Sequence, residues 1–277
     1  MNQKLRRLGS NTATYLVLLI PSIIFLFPCL WLILASFSSS GSIYSFDGFF
    51  PTSFSLGSFK ALFTDTVMYD YPEWFKNTLF IAVMSCLLST ILVILTAYVM
   101  SRFHFRSRKA LMKTTLVLGM FPSFMSMVAV YLLCTQFGLI NSSWGLILIY
   151  SAGAPTGYMV QKGFFDTIPS AIDEAARIDG ANNFTIFRKI TLPLSMPMVV
   201  YTALTSFTWP WSDFILPKLL LKEKSLYTVA VGLMSLGETE FARFAAGSVF
   251  IAVPIVILYF CLTRFLVSGL TAGAVKS

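Results

Sequence analysis

The sequence predicts an all-α membrane protein with six transmembrane helices, and three observations point to it. Hydrophobic residues fill 56% of the 277 positions and charged residues only 12%, against about 45–50% and about 25% in soluble globular domains. That excess has to face something other than water. The apolar residues also fall into long blocks, and roughly 20 consecutive apolar residues carry a helix across the hydrocarbon core. The blocks are apolar all round, whereas the strands of a closed β-barrel, the other architecture that satisfies its backbone within lipid, alternate over about ten residues.

The six blocks run from Thr12 to Ala35, Asn77 to Met100, Thr114 to Cys134, Trp144 to Val160, Met198 to Ile215 and Phe244 to Val267, in a single domain covering residues 1–277. A basic cluster precedes the first block, as in a secretory signal. Its apolar run from Tyr15 to Ala35 is longer than the roughly 7–15 residues of a signal core, so an uncleaved first span is expected. Pro21 and Pro28 are expected to kink it, which neighbouring helices tolerate. The fourth block carries Gly153 and Gly157, a G-x-x-x-G spacing that lets helices approach. Cys29, Cys86, Cys134 and Cys261 lie singly in four blocks without metal-type spacing and read as small core residues.

Between the blocks, Ser36 to Glu73 forms the longest outer excursion, with the acids Asp47, Asp65, Asp70 and Glu73. These acids either face a soluble partner or are simply solvated. Thr135 to Ser143 is short and uncharged, and reads as a tight outer hairpin. His104 lies in the basic loop Ser101 to Lys113 and reads as a solvated loop residue.

The formal charge of +8 raises the question of nucleic acid, but the basic residues sit at block ends and form no stripe with stacking aromatics, which excludes that class. Their placement reports orientation instead. Lys4, Arg6 and Arg7, then Arg102, Arg106, Arg108, Lys109 and Lys113, then Lys162, Arg177, Arg188 and Lys189, and finally Arg264 and Lys276 share one side. Lys60, Lys76, Lys218, Lys222, Lys224 and Arg243 share the other. Fourteen of the 20 basic residues against six place both termini and the loops after blocks two and four in the cytoplasm.

The cytoplasmic loop from about Gln161 to Pro197 is patterned too well for a linker. Ser170 after Ile168-Pro169 is positioned as an N-cap, Asp173 completes a capping box, and Glu174 suits the positive end of the helix dipole. Gly180 is a natural left-handed stop. Ile172, Ala175, Ala176 and Asp179 share one face at three- and four-residue spacing, and the alanines keep it low enough for another protein's backbone. Asn182 or Asn183 then caps a second short helix bearing Phe184, Phe187 and Ile190, which ends at Leu192-Pro193.

The run Glu174-Ala175-Ala176, three residues, Gly180, nine residues, then Ile190, Thr191, Leu192 and Pro193 resembles the E-A-A…G…I-x-L-P motif of binding-protein-dependent ABC importer permeases, with every signature position matched. The resemblance implies the ABC importer permease fold, with a loop that forms a coupling helix, sits in a cleft on a separate ATPase and transmits its closure to the spans. A second likeness narrows the branch. Gly269 to Lys276, Tyr227 to Leu233, Phe244-Ala245-Ala246 and Pro254-Ile255 resemble carbohydrate permeases of the maltose and maltodextrin type. That likeness implies a tail reaching the ATPase dimer, with Gly269, Gly273 and Lys276 as contacts. It also implies a second homologous permease subunit, two ATPase subunits, an extracytoplasmic sugar-binding protein and a prokaryotic plasma membrane.

No G-x-x-x-x-G-K-[ST] loop occurs, so the chain is expected to bind no cofactor itself and to leave ATP and Mg to the partner ATPase. Near the outer interface, Trp209, Trp211 and Asp213 combine aromatic faces with a carboxylate, a set that suits a sugar pathway. The same residues fit an interfacial aromatic belt with an acid beside Lys218. In the maltose type the sugar is held mainly by the partner permease. Other oligosaccharides, such as raffinose-type sugars, and an ion-driven secondary carrier are the alternative functions.

Overall fold

The computed structural model describes residues 2–39, 42, 50–51, 53–66, 69–152 and 155–274. Its long elements are all helices, and the strand pairing among these residues is a single bridge between Ser38 and Phe54. Asp47, Gly153 and Lys276 lie outside the described residues. The chain divides into two compact units, Met1–Tyr71 with Leu233–Phe250, and Pro72–Gly232 with Ile251–Ser277.

The first unit contains α1 (Asn2–Ser36), with Pro21 and Pro28 inside it, and α2 (Gly57–Thr64). It also holds the first turns of α14 (Phe241–Ala274). Arg243 ties the polar side together, 3.0 Å from Asp65 and 3.2 Å from Glu240, with its guanidinium over the Tyr69 ring. Phe63, Tyr71 and Phe250 pack as an aromatic cluster, and the Tyr71 hydroxyl donates to the Gly247 carbonyl at 2.8 Å. Of the acids in the outer excursion, Asp65 is thus half of an ion pair.

In the second unit, α3 (Tyr71–Arg102) is 32 residues long, with no interior proline or glycine. It is followed by α4 (Arg108–Gly119), α5 (Ser123–Gln136), α6 (Ser143–Ala152) and α7 (Pro155–Thr167). Next come α8 (Ser170–Ile178), α9 (Asn183–Ile186), α10 (Leu192–Leu194), α11 (Met196–Ser212) and α12 (Ile215–Leu220). α13 (Val229–Met234) begins in this unit, which also takes the rest of α14.

The block Thr114 to Cys134 is not one straight helix. α4 and α5 meet at 107° around Met120 to Pro122. The physical reason is Pro122, which lacks a backbone donor and disfavours helical geometry at Phe121. The block Trp144 to Val160 is likewise two helices, and α7 runs past Val160 to Thr167. The stretch Asn183–Leu194 meets α11 at a bend of 78°. Among the described residues three helices are long and apolar enough to cross a membrane unaided, and the two bent pairs bring the total to five. With α6 and α7 as the remaining block, six spans fit this set.

The hairpin between α5 and α6 is closed by left-handed residues, Gly138 at φ +67° and Asn141 at φ +58°, and asparagine tolerates that region better than most side chains. Asn141 also accepts from the Lys222 and Glu223 amides at 2.9 and 3.0 Å, which fastens the hairpin to the segment after α12.

Two apolar clusters form the core of this unit. Val93, Ile94, Ala97, Tyr98 and Met100 of α3 join Tyr158, Phe165 and Ile168. Ala82, Phe207 and Trp211 form the second, with Ile251, Ile255 and Leu258 of α14 against them. Elsewhere large side chains such as Leu87, Ile91, Leu132 and Phe260 are turned outward. That is the surface lipid or another apolar subunit requires.

Candidate functional site

The patterned loop folds into two helical arms, α8 and then α9 with α10. α7 ends where Ile168 precedes Pro169, which sits at φ −59°, ψ 131° and starts α8 at Ser170. The expected capping box does not form. Ser170 is already inside the helix, no side chain caps its start, and Asp173 is 2% exposed with its Oδ2 2.9 Å from Arg102 Nε. A buried carboxylate needs a full opposite charge more than it needs an amide. Arg102, in the last turn of α3, supplies that charge and also donates to the Ile168 carbonyl at 3.0 Å. Glu174 is left exposed on the outer side of the same turn.

α8 ends as its glycine predicts. Gly180 stands at φ +84°, the Ala181 amide donates to the Ala176 carbonyl at 2.9 Å, and the Gly180 amide to the Arg177 carbonyl at 3.0 Å. This is a Schellman closure, which satisfies carbonyls that the helix end would leave free. Asn182, of the two candidate asparagines, then caps the second arm by accepting from the Thr185 amide at 2.8 Å.

The second arm continues beyond α9. Phe187–Thr191 forms a π-helical turn and α10 follows, with the Leu192 amide reaching back to Phe187. The wide turn precedes Pro193, whose ring has no amide to give and would crowd the carbonyl four residues back.

Both arms are fastened to α3. The Tyr98 hydroxyl donates to the Asn183 carbonyl at 3.1 Å and its ring lies 4.8 Å from Phe187. Leu192 and Phe187 pack on the α3 cluster. Ser101 donates to Asp166 at 2.6 Å, and Lys162 pairs with the same carboxylate. Burial raises the pKa of Asp166, but the Lys162 and Ser101 hydrogen bonds, with the charges of Lys162 and Arg108, outweigh it and hold the carboxyl below its ordinary value.

The outward face carries Glu174, Ala175, Asp179 and Ile172, with Ala176 half-buried. Ile178 and Phe184 project furthest, 88% and 68% exposed. Ile190 and Leu192 are half-buried and Pro193 is exposed. The motif and the face pattern of the loop do not single out Ile178, and its position marks Arg102 only as an orientation charge. A large apolar residue between Arg177 and Asp179 was the available signal for the first. Nothing local signals the second.

At the other end of α11 the three pathway candidates diverge. Trp209 is 60% exposed, whereas Trp211 is 2% exposed in the core cluster, its ring 5.1 Å from Phe75. Asp213 ends α11, accepts from the Tyr150 hydroxyl at 2.9 Å and takes the Leu216 amide at 3.3 Å. Lys218 turns to Tyr227. In the tail, Gly269 and Gly273 lie in the last turns of α14.

Comparison with known proteins identifies this architecture. The family described as binding-protein-dependent transport system inner membrane component matches residues 90–271. The chain belongs to that family. It is 37% identical to the maltodextrin transport system permease protein MalD of Streptococcus pneumoniae, over 99% of this chain and 98% of that one. It is 39% identical to the maltodextrin permease MdxG of Bacillus subtilis over the full length of both, and 36% identical to the galactooligosaccharide permease GanQ of the same organism over 99% of each. The structure of a bacterial ABC transporter involved in importing the acidic polysaccharide alginate has a chain of the same fold, at TM-score 0.75 and 20% identity, covering 95% of this chain and 98% of that one.

The matched region of this permease contains both arms of the projection, the α11 end with Asp213, and α14 as far as Thr271. Family membership makes the chain a multi-pass membrane transport component.

Proposed function

We infer that this permease is one of two homologous membrane subunits of an ATP-driven importer of oligosaccharides, maltodextrin or maltose foremost. Its cytoplasmic projection docks in a cleft on one of two ATPase subunits, and an extracytoplasmic sugar-binding protein delivers the substrate from outside. ATP and Mg are used on the ATPases. Both termini lie in the cytoplasm, where the excess of basic loop residues belongs.

The observation that carries this reading is the exposed apolar pair Ile178 and Phe184 set among Glu174, Arg177, Asp179 and Arg188. Charged neighbours keep that surface out of lipid, and water is a poor environment for large apolar side chains. A protein cleft that takes both arms satisfies the apolar and the charged groups together. Glu174, Ala175, Ala176, Gly180, Ile190, Leu192 and Pro193 then form or shape the contact, and Gly269, Gly273 and Lys276 extend it along the tail. When the ATPases close around ATP, the projection moves and the spans reorient. Sugar crosses past the exposed Trp209 and the half-buried Asp213.

The relatives supply the sugar class, and they also supply a second reading. Identity to GanQ is close to identity with the two maltodextrin permeases. Galactooligosaccharides or raffinose-type sugars therefore stand as the alternative substrate. An ion-driven carrier needs an acid free to exchange ions within the membrane, and Asp213 is committed to Tyr150 and Leu216.

The test is reconstitution of the whole complex with its binding protein in liposomes. Maltotriose and longer maltodextrins are expected to stimulate ATP hydrolysis and uptake above galactooligosaccharides and raffinose, and uptake is expected to survive an ionophore while ATP remains. Equal stimulation by all sugars would remove the maltodextrin assignment. Collapse with the ionophore would remove the importer reading.

A further inference from the structure

We propose that α3 is the strut that carries movement of the coupling projection across the membrane, and that Arg102 is the positioning residue locking the projection to it through Asp173. The proposal rests on the coupling role inferred above.

At 32 residues α3 is about 48 Å long, well beyond the roughly 30 Å hydrocarbon core. The other two unbroken long helices, α1 and α14, contain Pro21 with Pro28, and Pro254. Prolines are where helices bend. α3 has none past its first turn, so it is built to move as one piece.

Its two ends are fastened to different segments, the coupling arms at one end and residues 224–232 at the other. At the cytoplasmic end, Arg102 holds Asp173 and the Ile168 carbonyl, and Tyr98 holds Asn183. At the outer end, the Trp74 indole donates to the Lys224 carbonyl at 3.0 Å and Asn77 to the Ser225 and Tyr227 carbonyls at 2.7 and 3.2 Å. The Thr78 hydroxyl accepts from the Val229 amide at 2.8 Å. Gly232 lies so close that a Cβ there would stand 2.0 Å from the Trp74 ring. Residues 224–232 are thus bonded to α3 as the coupling arms are.

The ion pair itself points to positioning. Its side chains are 10% and 3% exposed, and such buried pairs are often replaceable by apolar residues without loss of stability. What the charges add is orientation. Arg102 reaches Asp173 with one nitrogen and Ile168 with another, which fixes where α8 begins relative to α3.

The experiment uses the complete transporter in liposomes. Spin labels at Lys76→Cys and Ala171→Cys, in a chain whose four native cysteines are replaced, report the distance from the outer end of α3 to the coupling helix. A strut keeps that distance the same in the nucleotide-free and ATP-trapped states, and a change of about one helical turn, ~5.4 Å, overturns the proposal. In parallel, Arg102→Met is compared with the double variant Arg102→Met/Asp173→Leu. The single variant is expected to lower both membrane yield and uptake. The double variant is expected to recover yield while sugar imported per ATP stays roughly tenfold low, a typical coupling magnitude. Recovery of full coupling in the double variant would assign the pair to folding alone. Loss of ATPase binding by the unlabelled wild-type chain would instead refute the underlying coupling role, so the two failures are distinguishable.

Discussion

At Gly180 the backbone sits at φ +84° and the space where a Cβ would stand is open, so an alanine there meets only the backbone cost of the left-handed region. Gly232 is the reverse case, with no left-handed angle but with the Trp74 ring against it. The left-handed region costs a side chain about 1–2 kcal/mol. Gly180→Ala is therefore expected to leave membrane yield near wild type while weakening ATPase association about 5–30-fold, the equivalent of that strain if it falls on the docked state. Gly232→Ala should lower the thermal midpoint and yield of the permease itself. Unchanged pull-down with Gly180→Ala would refute the docking role of that turn. Both glycines stood in the sequence, yet only Gly180 was readable, because a helix stop is local chemistry and a close approach of rings is not. Trp211 shows the same limit: its neighbours Phe75 and Ala82 come from another helix, and burial rather than type decides what it can touch.

Among the elements, the two arms after Thr167 carry the sharpest prediction. Fully burying a large apolar side chain is worth about 1.5–3 kcal/mol. Ile178→Asp or Phe184→Asp is accordingly expected to weaken ATPase association at least about tenfold, read by co-purification, while leaving the permease extractable, since both side chains point into solvent. Undiminished co-purification of both variants would show that the ATPase docks elsewhere. The boundaries of this element were largely legible, because Pro169, Gly180, Asn182 and Pro193 act on their own backbone. Its start was not: Asp173 fits a capping box by spacing, and only the approach of Arg102 turns it inward. The break between α4 and α5 was legible in principle from Pro122, but the hydropathy of the block runs straight through it.

For the whole molecule, the charge asymmetry of the loops makes a claim that labelling can check. Cysteines introduced at Ser107 and Ala171 are expected to react with an impermeant reagent only from the cytoplasmic side, and cysteines at Ser58 and Lys222 only from outside. The reverse pattern would invert the permease and place its coupling arms on the wrong face for an ATPase. By itself the sequence determined the membrane class, the apolar blocks, the left-handed stop at Gly180 and the family motif. Each of these depends on residues a few positions apart, where hydropathy, capping and turn chemistry operate. The tertiary structure alone decided which distant polar groups meet: Arg102 with Asp173, Tyr150 with Asp213 at a separation of 63 residues, and Asn77 with Ser225 at 148. Such pairs leave no periodic trace along the chain, because their partners are selected by the packing of helices and by the cost of leaving a polar group unpaired away from water.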